Sequence, residues 1–486
     1  MTRIGGAKLN QDVYLGIDIG TSVTKGTVIC RDGTVIGQEY SKIKYGSSSN
    51  VGCEHDPEKV WWTEFFNITS SLLAKIGNRK NDIASIAITG MIPNITLLDK
   101  HGDHLHNGIL FYDGRAYEIE KKLDEELNSP KWQNEVLSKL IWIKNNHEEI
   151  WPRIHKILTT HSYIVYKLTG CFSIDTVTAI ESGNIYDPIK RTWNSSILNK
   201  YGIAPELFPE IYAPNSIVGT LTKNAAQLLG LKPGIPVVAG TGDTISSLLG
   251  AGLRHENEML IYYGTYNCSA LLKNEIQEVI SGNIYSNPLE WTSTIPRSGQ
   301  QLSVFAQQFF PSKSRELSLT KLDRFASNSA PGANGALFIQ TFDLPKSTVS
   351  TEPKGGLVNL SIDNDLSDIS RALLEAFGYG LRYSFEVMGT NPQPIRCYAA
   401  GGGAKSSIWK QIVSDITGLT QIYLPAANRG VGSAILAGSS MGGDVLIAIT
   451  DRIMKKAKSI YPTLDTKSSY DEMYNLYRHY LDKYNC

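Results

Sequence analysis

Cysteine is scarce in this 486-residue chain. The six residues, Cys30, Cys53, Cys171, Cys268, Cys397 and Cys486, lie far apart, with no CxxC pair. That spacing argues against a zinc site, and sparse thiols in a long chain fit a reducing compartment. No apolar run reaches the roughly 18 residues a membrane span needs, and Met1–Lys8 lacks the apolar core of a secretion signal. A basic excess is also missing, since Lys plus Arg and Asp plus Glu number 47 each. Zero net charge speaks against a nucleic-acid or membrane-surface partner. The expectation is a soluble cytoplasmic protein whose Asn-x-Ser/Thr triplets, such as Asn67-Ile68-Thr69, are chance matches.

What is present is enough apolar sequence for large cores. Hydrophobic residues make up 42% and charged residues 19%, and the length allows about two to four domains. The stretch that organises the rest is Val13-Tyr14-Leu15-Gly16-Ile17-Asp18-Ile19-Gly20-Thr21. It reads as a buried strand carrying Asp18, and a carboxylate in an apolar run is costly unless paired. Gly20 permits a tight turn. Thr21 and Ser22 place hydroxyls and backbone N–H groups where a phosphate could sit, and Lys25 adds a positive charge. Arg31-Asp32-Gly33 then marks a hairpin. Strand, phosphate turn, strand, hairpin, strand is how actin-like ATPase domains begin; an ordinary β-meander with an acid at a strand end is the other reading of this stretch alone.

Asp56 and Pro57 predict a helix start, with the helix running to about Ile76. Ile83–Gly90 reads as a buried strand ending in glycine. The loop Met91-Ile92-Pro93-Asn94 beyond it is a site candidate, because ligands gather past the carboxyl ends of strands in open α/β sheets. Ile109–Arg115 reads as another strand ending in an acid. Asp113 and Arg115 there could hold substrate hydroxyls or form a local ion pair. Residues 132–168 are predicted helical, their aromatic and histidine residues serving core and rim.

In Ile235–Thr244 a short strand runs into Gly240-Thr241-Gly242-Asp243, followed by a small-residue helix to Gly252. Asp243 is placed either to take a proton from an attacking hydroxyl or to cap that helix. Glu258–Thr265 is a second strand ending in Gly-Thr, at Gly264 and Thr265. Two such turns, with Gly240–Asp243, raise a polyphosphate reading. Further on, Ala336–Ile339 is strand-like, and Ser367 is the expected cap of a helix to Met388. Ile395–Ala400 leads into Gly401-Gly402-Gly403, whose bare backbone could accept adenine and ribose, and then the helix Ile408–Thr417. Gly430–Gly438 opens a close-packing helix, and Tyr470, Tyr474, Tyr477, Tyr480 and Tyr484 recur at helical spacing, as core. Gly438–Gly442 imitates a nucleophile elbow but lacks the preceding strand. Gly403–Ser406 imitates the end of a P-loop with alanine before the lysine.

Taken in order, Gly16–Thr21, Gly240–Asp243, Gly264-Thr265, Gly401–Ser406 and Gly430–Ala434 resemble the motifs of the FGGY family of carbohydrate kinases, from about Val13 to the C-terminus. Tyr166–Gly170 and Phe111–Arg115 add to the likeness, which lies nearest the xylulokinase branch. The resemblance implies an α/β fold of two ribonuclease-H-like (actin-like ATPase) domains with an interdomain cleft: residues 1–252, the substrate side with the catalytic acid at its end, and 253–486, the nucleotide side. It implies ATP and Mg²⁺ as cofactors and a small sugar, ketose or polyol as substrate, with a homodimer left open. Asp243 would be the general base and, with Asp18, would serve the metal. Gly20, Thr21, Ser22, Lys25, Gly264 and Thr265 would hold phosphates, and Gly402, Gly403, Ala404 and Ser407 the adenosine. Asn94, Asp113, Arg115 and Thr244 would face the sugar.

The sequence departs from that branch at the acceptor. Gly90-Met91-Ile92-Pro93-Asn94 stands where the branch reads Gly-Gln-Met-His-Gly, and Thr244 where it has asparagine. Its Gly-Glu-Arg segment is absent, with Phe342-Asp343-Leu344-Pro345 in that region. The alternatives are a catalytically weak kinase-like protein that binds nucleotide or sugar, and a chaperone-like actin-fold ATPase, for which no segment is left to bind peptide.

Overall fold

The computed structural model describes residues 12–43, 47–48, 53–130, 133–264, 267–295, 298–340, 355–388 and 394–484. Met1–Lys8, Trp132, Thr265, the Phe342–Pro345 segment, Cys486 and the side chain of Tyr484 lie outside what is described. The chain divides into two compact units. One comprises Met1–Arg254, Asn274–Pro288 and Ala426–Lys455; the other His255–Lys273, Leu289–Pro425 and Lys456–Cys486.

The first unit is built on the strand Val13–Ile19, every residue of which is buried. On one side it pairs antiparallel with Val23–Cys30, which pairs with Val35–Lys42. On the other it pairs parallel with Ile83–Gly90, itself parallel to Pro236–Val238 and Thr241–Gly242. A strand flanked on both sides and covered on both faces has no solvent edge, which is why its sequence is apolar almost throughout. The helix Thr63–Ile76 covers one face through Phe65, Ile68 and Leu72. Asp56 caps the preceding turn, accepting from the N–H groups of Glu58 and Lys59. The other face carries Arg429–Ser439, from near the opposite end of the chain. A Cβ on Gly16 would lie 2.0 Å from the backbone nitrogen of Ala434, and one on Gly432 would lie 1.8 Å from Ser246 O. Backbone therefore touches backbone on both sides of this helix, and only residues without side chains permit it.

The second unit repeats the pattern. An antiparallel run Leu289–Ile295, Asn267–Leu272, Glu258–Tyr263 continues into the parallel strands Arg396–Ala400 and Gln421–Tyr423, with Lys458–Ile460 at the edge. The helices Leu366–Val387, Ser407–Thr417 and Lys467–Tyr484 supply its core. Tyr470, Tyr474 and Tyr477 are buried in that core, and Tyr480 packs against it half-buried.

Three expectations change. Residues 133–168 are not one helix: Glu135–Asn146 ends before Pro152, Lys156–Leu158 pairs as a strand with Thr96–Leu98, and Thr160–Thr169 starts a new helix. Strand pairing here overrides helical periodicity. Ser367 is not a cap; Asp365 is, in a reciprocal capping box with Asp368. The strand before Asp113 stops at Ile109. The chain then turns, with Asp113 N donating to Leu110 O and the Asp113 carboxylate accepting from Arg115 N.

Candidate active site

The parallel register brings three strand ends together. Asp18 pairs with Thr89 and Ile19 with Gly90, while Thr241 pairs with Thr89 and Gly242 with Gly90. Asp243 follows as the first residue of the helix Asp243–Ala251. On the antiparallel side, the register partner of Asp18 is Lys25. Acid, base candidate and cation thus gather at the carboxyl edge of one sheet, where ligands bind in open α/β folds.

Asp18 is 1% exposed. Its Oδ1 accepts from Thr89 Oγ1 at 2.9 Å, and Thr89 Oγ1 lies 2.6 Å from Ser433 Oγ. Its Oδ2 has no hydrogen-bond partner among the described residues. Burial pushes the carboxyl up to about 6; Arg429 opposes the rise, the Asp243 charge adds to it, and Lys25 and the Thr89 hydroxyl oppose it. A buried carboxylate oxygen lacking a donor, with a second carboxylate nearby, suits a hydrated Mg²⁺, which keeps much of its water and takes one or two protein carboxylates. Among the described residues no group of three or more metal-ligating side chains occurs; Asp18 and Asp243 are the carboxylates at this strand edge that could serve such an ion.

Asp243 does not cap its helix. Gly242 occupies the cap position, and the Asp243 carboxylate meets Arg429 instead, with Oδ2 2.6 Å from Nη1. Arg429 Nε donates to Ser247 Oγ at 3.0 Å. Thr241, two residues before Asp243, donates to Asp175 Oδ1 at 2.9 Å. Asp175 also caps the helix Thr176–Glu181 and lies 3.0 Å from His161 Nε2. His161, Asp175 and Thr241 are wholly buried, so the turn carrying Asp243 hangs on a fully engaged polar cluster.

The phosphate-turn candidates lie beside these groups. Gly20 N donates to Val23 O at 3.3 Å, closing the turn, and Ser22 at its tip is exposed. Thr21 Oγ1 donates to the Met91 sulfur at 3.5 Å. Thr244, half-exposed, sits in the first helical turn after Asp243. A Cβ on Gly242 would lie 2.2 Å from Ile92 Cδ1, so the Met91–Asn94 loop runs close past the turn that carries Asp243.

Two substrate candidates have their polar atoms largely engaged by the protein itself. Asn94 is buried, its amide donating to Met91 O and its oxygen accepting from Thr160 N at 3.0 Å. Asp113 accepts from Cys53 N at 2.7 Å and from Arg115 Nε and Nη2 at 2.9 and 2.7 Å. Arg115 also reaches Glu54 at 2.5 Å and lies over the Trp142 ring at 4.5 Å.

In the second unit, Gly264 and Gly402 follow the neighbouring parallel strands Glu258–Tyr263 and Arg396–Ala400. Gly401 has φ +96°, and a Cβ there would lie 2.4 Å from Tyr263 O. A Cβ on Gly402 would meet none of the described residues within 4 Å, and Ser407 is exposed, whereas Ala404 is buried. Lys410 Nζ donates to Ala404 O, and to Ser406 O at 3.0 Å. Arg429, Thr89, His161 and Asp175 were not picked out from sequence, and Thr241 and Ser433 entered only as members of glycine-rich motifs. A signal for Arg429 existed: it stands just before the small-residue run Gly430–Ala434.

The profile for the N-terminal domain of the FGGY family of carbohydrate kinases matches residues 13–250, and that for its C-terminal domain residues 294–441. A xylulose kinase of Staphylococcus xylosus is 27% identical, covering 96% of this chain and 98% of its own. A xylulose kinase of Escherichia coli K12 is 26% identical, covering 87% and 89%. The crystal structure of a xylulose kinase from Rhodospirillum rubrum superposes with a TM-score of 0.81 at 24% identity, covering 97% and 98%.

Proposed function

The chain belongs to the FGGY family of carbohydrate kinases and is an ATP-dependent, Mg²⁺-using sugar kinase of the two-domain, actin-like fold; from that premise we propose that its acceptor is a small ketose of the xylulose kind and that Asp243 is its general base. The supporting observation is the shared strand edge: Asp18 with an unpartnered oxygen, Lys25 in register beside it, and Asp243 at the head of the next helix. Asp243 takes the acceptor proton as the hydroxyl oxygen bonds to phosphorus and the bridging P–O bond breaks, its electron pair leaving with ADP. Bound Mg²⁺ supplies charge neutralisation for the phosphates. Positioning and charge supply most of the rate in phosphoryl transfer, and a placed base contributes about 10²–10⁴-fold.

In this reading Gly20, Thr21, Ser22, Lys25, Gly264 and Thr265 serve phosphates. Gly402, Gly403, Ala404 and Ser407 serve adenosine. Asn94 shapes the acceptor loop, Asp113 and Arg115 brace the neighbouring wall, and Thr244 faces the sugar. Functional division near residue 252, a homodimer and a cytoplasmic location belong to the same proposal. The described residues contain no helix long and apolar enough to cross a membrane. The test is ADP release with Mg-ATP and a panel of pentoses, hexoses, polyols and sugar acids. Xylulose-type ketoses should lead the panel, and sugar-dependent turnover surviving in Asp243→Asn would refute the base.

A further inference from the structure

Arg429 occupies one of the two oxygens of the carboxylate read here as the base. Its Nη1 lies 2.6 Å from Asp243 Oδ2, and an arginine stays charged at any ordinary pH. A carboxylate oxygen engaged this way is a poor acceptor for a substrate proton. The pair is also well held. Ser247 anchors Nε at 3.0 Å, Ser433 Oγ donates to Arg429 O at 3.0 Å, and Asn428 caps the helix through Val431 N at 3.1 Å. A Cβ on Gly250 would lie 2.3 Å from Asn428 O, so the backbone has little room to shift.

The side chain has a second destination. The same Nη1 lies 3.9 Å from where a Cβ on Gly20 would stand, which puts the guanidinium against the turn read as the phosphate site. Guanidinium matches carboxylate and phosphate oxygens with the same planar fork. We propose that Arg429 is a two-position residue: it pairs with Asp243 when no nucleotide triphosphate is bound, and turns to the terminal phosphoryl oxygens when one is. The exchange frees an Asp243 lone pair for the acceptor proton only when a phosphoryl donor is in place, and it puts a positive charge on the group being transferred. This rests on the assignment of the Gly20 turn to phosphates.

The test compares Mg-ADP with a non-hydrolysable Mg-ATP analogue by calorimetry, in the full-length wild type, Arg429→Gln, Arg429→Lys and Lys25→Gln. Arg429→Gln should weaken analogue binding by about tenfold or more, as expected for a lost charged hydrogen bond, with ADP affinity changed less than about threefold. Its kcat should fall by about 10²-fold or more while the sugar KM holds, as for a residue engaged chiefly in the transition state. If the glutamine variant does not fold, Arg429→Lys, which keeps charge and loses the fork, should still lower the analogue-to-ADP affinity ratio. An unchanged ratio in whichever variant folds, or a loss confined to sugar KM, overturns the proposal. Lys25→Gln separates the two levels. If it spares analogue binding, the phosphate-turn assignment fails; if it weakens analogue binding and Arg429→Gln does not, only the role of Arg429 fails.

Discussion

Replacing Asp18 by asparagine should make the protein more stable and inactive at once. The carboxyl is 1% exposed and titrates at about 6 in the folded chain, against an ordinary 3.8. That rise is a penalty on the ionised form on the order of 3 kcal/mol. The sign follows from proton affinity: the folded state holds this proton more tightly than the unfolded state. No penalty applies below about pH 4; it grows between pH 4 and 6 and is complete above. Asparagine keeps an oxygen for the Thr89 hydroxyl but sets an amide where Oδ2 had no partner, at a cost of about 1 kcal/mol. The net gain is about 2 kcal/mol above pH 7, a rise of a few degrees in melting temperature. Thermal unfolding of both proteins in EDTA at pH 4.5 and pH 8 measures it. Asp18→Asn should melt higher at pH 8, the gap should narrow at pH 4.5, and kinase activity should be lost at both. A variant that melts lower at pH 8, or a gap indifferent to pH, would refute the burial argument. Wild-type activity should also fall on the acid side, at a pH below about 6 when Mg²⁺ is present, because the ion competes with protons for the same carboxylate.

Other outcomes follow from the same geometry. Gly16→Ala forces a methyl against the backbone of Ala434 and should cost about 1–3 kcal/mol in urea unfolding; a change under about 0.5 kcal/mol would deny the close packing. Asp243→Asn should lower sugar-dependent ADP release by about 10²-fold or more while the melting temperature moves little, since the side chain is partly exposed. Thr241→Val removes one hydrogen bond to buried Asp175 and should cost about 1–2 kcal/mol, with kcat lowered through the turn that carries Asp243. A loss of stability with kcat intact would show that the cluster does not position the base.

Much was legible along the chain because the governing physics is local. Val13–Thr21 and Ile83–Gly90 read as buried strands from their β-branched, apolar composition; the second occurs with those bounds and the first ends at Ile19, before the Gly20 turn. Glycine ahead of Asp243 and after Ala400 marked turns where backbone must bend tightly, and the helix from Pro57 to Ile76 announced its start with Asp56 and Pro57. Reading failed where a distant partner decided. The break in 133–168 depends on Thr96–Leu98 claiming Lys156–Leu158 as a strand. The loss of strand at Asp113 goes with its carboxylate accepting from Cys53 N, a remote backbone group.

Sequence alone determined the strand-and-turn grammar around Asp18 and Asp243, since hydrophobic period and glycine freedom act within a few residues. Only the tertiary structure decided that Arg429 faces Asp243. It lies 182 residues beyond Ser247, the hydroxyl that anchors it, and it arrives because Gly16, Gly250 and Gly432 let its helix press backbone against backbone. Which charges meet is set by that packing, and packing between remote segments leaves no periodic trace in the chain.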